Sequence, residues 1–275
     1  MKILSLSYFA EIWPHSYPEF LILKSLNEKY KFKIDYLNCE SFFSSCAVHD
    51  SRQQSFSSEE VKRNICKFCI STKKNYMKFS YLNELRINDF LSEADIKKID
   101  LVLQKTTPEN YLKKKVFGVE FGRFTLFNYL IAQKKTNLKF SNKEFSKYKI
   151  RLKDSLKSLF AFNNILKKNS YDYVTTFSTE YSLNRVCVEL AKKKNIKVLN
   201  LNNGKHHYSK FKFLTIYEGY NKGLYYHTNK NWKKFSRKSI ANENFKYPLE
   251  WLNSAFKSET FMNYSNKMQN ISIRE

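Results

Sequence analysis

The sequence has little glycine or proline, 5 Gly and 4 Pro in 275 residues. That excludes collagen-like and Gly/Pro-linker architectures. Acidic residues are scarce beside basic ones: 25 Asp plus Glu face 49 Lys plus Arg, for a formal net charge of +24. Arginine is scarce within the basic set, contributing 8 of the 49. The guanidinium is the group suited to bidentate reading of bases and phosphates, so its scarcity counts against sequence-specific DNA recognition. No apolar run approaches the length of a bilayer crossing. The N-terminal stretch from Met1 to Ser7 lacks the apolar core and small-residue cleavage site of a secretory signal. Walker and GxGxxG loops are absent, as are GxSxG, HExxH and EF-hand patterns. These absences argue against a nucleotide hydrolase, a standard dehydrogenase and a serine hydrolase.

Aromatic residues, by contrast, are plentiful, with 24 Phe and 19 Tyr. Burying them offsets the entropy of ordering a chain of this length, so a folded core is expected. The expectation is a soluble, cytoplasmic protein. Its lysines favour anionic partners: nucleic acid, phosphorylated substrates, or the inner leaflet of a membrane, where each Lys adds roughly 1 kcal/mol. A plainer account of the charge is an AT-rich coding sequence, since Lys rises together with Ile, Phe and 27 Asn.

Periodicity places a strand at Lys2–Ser7, a loop over 8–18 that ends at Pro18, a helix from Glu19 to Lys29, and a second strand around Phe32–Leu37. Strand, helix and strand in so short a span predict a parallel βαβ unit. Residues 39–75 hold four of the five cysteines, many serines and no long periodicity. Residues 76–168 read as mainly helical, with Ser92 as a helix start. Gly118 and Gly122 mark a turn before a helix from Arg123 to Lys134. A second βαβ unit follows: a strand at Tyr171–Phe177, a helix capped by Ser178 or Thr179, and a strand at Ile196–Leu201. That helix carries an apolar stripe of Leu183, Val186, Cys187, Leu190 and Ala191. The predicted fold is α/β, a Rossmann-like parallel sheet over residues 1–230 with a Cys-rich insertion at 39–75 and a helical insertion at 76–168. Residues 231–275 form an aromatic, basic segment, a candidate contact surface for another subunit, although such aromatics are commonly core.

Cys39, Cys46, Cys66 and Cys69 give the spacing C-x6-C-x19-C-x2-C. Two pairs of thiolates across a connector suit a tetrahedral metal site, and a site with four protein ligands is structural. Zinc is the ion favoured; an iron–sulfur cluster and unligated thiols are the alternatives. His49, three residues past Cys46, is a candidate to replace one thiolate. Cys187 sits on the apolar stripe and reads as core.

Ligands of open α/β sheets bind beyond the carboxyl ends of the strands. Two predicted loops lie there. The first carries Glu11 and His15, a candidate base with the carboxylate that orients it. The second carries Asn202, Asn203, Gly204, Lys205, His206 and His207, with Gly204 allowing close backbone approach to a phosphate or sugar. Each histidine also reads simply as a loop residue.

The strand, the loop Pro14-His15-Ser16-Tyr17-Pro18-Glu19, the following helix and strand, and the cysteines ending in CxxC resemble the start of some bacterial surface-polysaccharide glycosyltransferases of the two-Rossmann (GT-B) type. His15, Pro18 and Glu19 match their His-x-x-Pro-Glu loop, and Cys39, Cys46, Cys66 and Cys69 match their insert. Residues 118–130 and 171–204 resemble later parts of their first domain, with Tyr181 and Arg185 on its last helix. The resemblance implies sugar transfer from a nucleotide-sugar to a glycan or lipid-linked acceptor at the inner membrane, in capsule or lipopolysaccharide synthesis. It implies that His15 is the base, and that Asn203, Gly204, Lys205, His206, Tyr181 and Arg185 bind substrate. Too few residues follow 205 for a second Rossmann domain, so the expectation is an acceptor-side half that is truncated, works with a separate donor-domain subunit, or has lost catalysis. The alternative is a non-catalytic, zinc-containing scaffold or nucleic-acid-binding protein.

Overall fold

The first strand, β1 (Lys2–Leu6), is buried along nearly its whole length, as parallel strands covered on both faces are. It leads into α1 (Trp13–Tyr30) and β2 (Lys33–Asn38). These elements come from a computed structural model that describes residues 1–52, 54, 57–135, 137–203 and 214–219. After β2 come α2 (Ala47–Ser51), α3 (Glu59–Met77), β3 (Asn83–Arg86), a 3₁₀ turn at Ile87–Phe90 and α4 (Glu93–Gln104). Then follow α5 (Phe121–Ala132), α6 (Asn142–Lys168), β4 (Tyr173–Thr176), α7 (Ser182–Lys193), β5 (Lys197–Asn203) and β6 (Leu214–Glu218).

The strands form one sheet in the order β3-β2-β1-β4-β5-β6. β1 pairs in parallel with both β2 and β4, Ile3 standing beside Ile34 on one side and Tyr173 on the other. β2–β3 and β4–β5 are parallel too, and β6 closes the edge antiparallel to β5. The chain therefore winds outward from β1 in one direction and from β4 in the other. The topological switch point lies between them. This is the expected α/β class, a mostly parallel Rossmann-like sheet. Among the described residues no helix is long and apolar enough to cross a membrane.

The larger core packs α5, α6 and α7 on one face of the sheet. Leu152, Leu156, Leu159 and Phe162 of α6 meet Leu4, Val174, Val186 and Cys187 there. Ile3, Phe20, Leu23, Ile34 and Tyr36 form a smaller core under α1. The expected stripe of α7 is buried at all five positions, with Cys187 in the core beside Ser158.

Several predicted boundaries move, each for a physical reason. α1 begins at Trp13, not Glu19, because Pro14 occupies the first turn, where its missing N–H is not needed. Pro18 then lies inside the helix, and His15 is in a first turn and not in a loop. The Cys-rich stretch is largely helical. Ser58 caps α3 by accepting from the Val61 N–H, and Glu59 and Glu60 follow in the first turn, where the helix dipole favours anions. The CxxC pair accordingly rides on a helix. β3, a short edge strand, lies within the region read as helical. α7 starts at Ser182, not after Ser178 or Thr179. Its first N–H donates to Asn128 Oδ1 of α5 at 2.7 Å, a cap supplied from elsewhere in the fold. Ser92 caps α4 as expected, in a reciprocal box with Asp95. Gly122 lies inside α5, and a Cβ there would meet the Tyr111 carbonyl oxygen at 2.0 Å. Residues 231–275 lie outside the described residues.

Candidate functional site

Two clusters gather at the carboxyl ends of the central strands. The first is the crevice between β1 and β4. His15, half-buried, stacks on Phe177, which follows β4, with ring centroids 3.9 Å apart and planes 15° apart. Its Nδ1 lies 3.5 Å from the hydroxyl of Tyr181, the residue before α7. Tyr181 packs edge-on against Phe9 from the loop after β1, at 5.1 Å. The base candidate is thus held by both sides of the switch point. Glu11, the carboxylate expected to orient it, forms an ion pair with Arg52. Arg185 lies one turn into α7. It pairs with Glu189 at 2.9 Å and its guanidinium stands over the Phe124 ring. Asn203 ends β5, while Gly204, Lys205, His206 and His207 lie outside the described residues.

Glu19 closes the His-x-x-Pro-Glu match. It is one helical turn beyond His15 and is buried, accepting a hydrogen bond from the Ser5 hydroxyl at 3.1 Å. Burial pushes its carboxyl up to about 8, only partly offset by the Ser5 and Ser7 hydroxyls, so Glu19 is protonated at neutral pH.

The second cluster lies beside the end of β2. Cys39, Cys46, His49, Cys66 and Cys69 all line one cavity of about 20 Å³, together with Ser7, Tyr8 and Lys73. Cys39 follows β2, before Glu40 and Ser41, whose φ angles of 43° and 64° make a tight turn. Cys46 precedes α2. Its position is fixed by Ser45, whose N–H and hydroxyl donate to Asp154 Oδ2 of α6 at 2.8 and 3.1 Å. α3 is pinned by Lys73, whose buried amine pairs with Glu40 and Glu84. His49 is buried, its Nε2 is 3.5 Å from Cys66 Sγ, and its Nδ1 has no hydrogen-bond partner. Desolvation raises all four thiols, Cys69 to about 12, so without a cation beside them they stay protonated. Burial also lowers the His49 imidazole, which keeps it neutral.

The donor chemistry suits a soft divalent metal: thiols and a neutral imidazole facing one small space. Among the described residues no three His, Cys, Asp or Glu side chains already stand in an arrangement that holds an ion.

The fold and the site together define a doubly wound α/β protein with a histidine at its switch point. No family model matches the sequence, and none of the curated proteins matches it. Among solved structures the chain is similar to a CDPS from Fluoribacter dumoffii, at 11% identity and a TM-score of 0.43. The match covers 71% of this chain and 86% of that one. A likeness of that size bears on neither substrate nor mechanism.

Proposed function

We propose that this chain is a glycosyltransferase-like protein of surface-polysaccharide synthesis, acting on a nucleotide-sugar and a glycan or lipid-linked acceptor. The observation that carries the reading is the meeting of His15 with Tyr181 and Phe177 across the crevice between β1 and β4. Doubly wound sheets bind ligands at that place. With Nδ1 turned to the Tyr181 hydroxyl, Nε2 is the nitrogen that takes a proton from an acceptor hydroxyl. The acceptor oxygen then forms the new bond to the anomeric carbon. The bond from that carbon to the nucleotide phosphate breaks, and the phosphate leaves with the electron pair. A separate subunit that supplies the donor, and attachment to anionic lipid through the lysine-rich surface, belong to the same reading.

Thermal shift with a panel of nucleotide-sugars and free nucleotides tests it. A ligand at 100 times its dissociation constant adds about 2.7 kcal/mol to the folded state. One nucleotide-sugar should raise the melting temperature, and His15→Ala should abolish transfer while leaving the fold intact. Transfer at an unchanged rate in His15→Ala would remove the base assignment. Retention on nucleic acid that weakens steeply with salt, with no nucleotide-sugar shift, would favour a nucleic-acid-binding protein instead.

A further inference from the structure

We propose that the cavity between the end of β2, α2 and α3 is a tetrahedral site for one zinc-like divalent ion, held by Cys46, His49, Cys66 and Cys69. This inference does not depend on the sugar-transfer reading. Cys46 and His49 are three residues apart at the start of α2, and Cys66 and Cys69 are three apart on α3. On α3 that spacing puts Cys66 and Cys69 on one helical face, while Cys46, the extended residue just before α2, and His49 line the same cavity. His49 Nε2 and Cys66 Sγ are 3.5 Å apart. Two ligands of one tetrahedral zinc, with Zn–S near 2.3 Å and Zn–N near 2.0 Å, also stand about 3.5 Å apart. This pair is therefore already at ligand spacing. Cys46 and Cys69 line the same cavity.

The volume selects the occupant. About 20 Å³ holds one water-sized body, hence one ion and not a four-iron cluster. The structure revises the donor set expected from cysteine spacing alone. Cys39 is the fifth donor and is left out, because it sits on a tight turn with Sγ directed to the Tyr8 carbonyl at 3.9 Å. Binding one divalent cation releases three thiol protons to solvent and leaves three thiolates and a neutral imidazole around the metal. With four protein ligands the site is closed. Its work is to staple the short α2 to α3, not to catalyse.

The test is metal analysis of the full chain after exposure to Zn²⁺ and desalting, repeated with Co²⁺ for its spectrum. One metal ion per chain is expected, with a sulfur-to-cobalt charge-transfer band and the intense visible bands of tetrahedral cobalt. Cys66→Ser and Cys69→Ser should lose the ion, and Cys39→Ser should keep it. His49→Cys should keep the ion and shift the cobalt spectrum to that of an all-sulfur site. If the serine variants fail to fold, the spectra of Cys39→Ser and His49→Cys decide. No stoichiometric metal in the unaltered chain would overturn the site. Loss of metal in Cys39→Ser, or a cobalt spectrum unmoved in His49→Cys, would overturn the donor set.

Discussion

The loop after β1 serves two very different neighbourhoods. Ser7, Tyr8 and Ala10 line the cysteine cavity, while Phe9 turns the other way and packs on Tyr181 in the histidine crevice. The rings of Tyr8 and Phe9 stand nearly perpendicular, at 84°. The cavity is small and rich in soft donors. The crevice is aromatic, with Phe9, Phe177 and Tyr181 buried around a half-buried His15, and it lies where doubly wound sheets take ligands. One strand end thus supports both neighbourhoods. The contrast separates chemistry suited to holding the fold from chemistry suited to meeting a substrate.

A single buried network couples the two, and breaking it should have the largest effect. Asp50, next to His49, accepts from both terminal nitrogens of Arg151, at 2.9 and 2.5 Å. Asn128 also donates to Asp50 at 3.2 Å, and its own oxygen caps α7 beside Tyr181. A second small cavity, lined by Cys46, Arg151, Asn128 and Tyr181 among others, lies along this path. Arg151 and Asp50 are both almost fully buried. Removing one partner of such a pair leaves an uncompensated charge and typically costs about 3–5 kcal/mol. Denaturant unfolding of Arg151→Ala should show a loss of that size. A loss below about 1 kcal/mol would mean that the two regions are not held together by this pair.

Glu19 offers a sharper test within one helix, since it lies one turn beyond His15 on α1 and is more deeply buried. The unfolded carboxyl, near 4.5, releases its proton well before the folded one, which holds on to about 8. Between those values unfolding releases a proton, so stability falls as pH rises, by at most about 1.4 kcal/mol per pH unit. Below about 4.5 and above about 8 this contribution is flat. Glu19→Gln cannot ionise and should lose that slope. Melting temperatures of both proteins at pH 5 and pH 8 check it: the unaltered chain should fall further than the variant. Parallel behaviour would show that Glu19 titrates as an ordinary carboxylate.

The two regions also differ in how far they were legible in the sequence. The apolar run of β1 and the stripe of α7, with β-branched and aliphatic residues in β4 and β5, announce a parallel sheet. The Cys insert shows no long periodicity in sequence yet is largely helical. On α3 the buried positions are Lys62, Ile65, Lys73 and Tyr76, and a helix whose buried stripe includes two lysines gives a weak apolar signal. Ser58-Glu59-Glu60 was the available sign of its start. The cysteines were found because thiols in a CxxC pair carry meaning without any periodicity. The ion pair of Glu11 with Arg52, and the Asn128 cap on α7, join residues far apart in sequence. Only the folded chain brings them together, and no local pattern encodes such a partner.

The smallest expected effect is at the point where the crevice is most specific. Tyr181 meets His15 in two ways, through its ring and through its hydroxyl. Tyr181→Phe removes the hydroxyl and keeps the ring that packs on Phe9. A long hydrogen bond of 3.5 Å at a half-buried histidine contributes less than a typical one, so stability should fall by no more than about 1 kcal/mol. If the hydroxyl orients the imidazole, the NMR signals of the His15 ring should differ between the unaltered chain and Tyr181→Phe. That change should appear with the cobalt spectrum of the cysteine cavity unaltered. Unmoved ring signals would mean that stacking on Phe177 alone positions His15. A changed cobalt spectrum would mean that the Tyr181 hydroxyl is felt in the cysteine cavity as well.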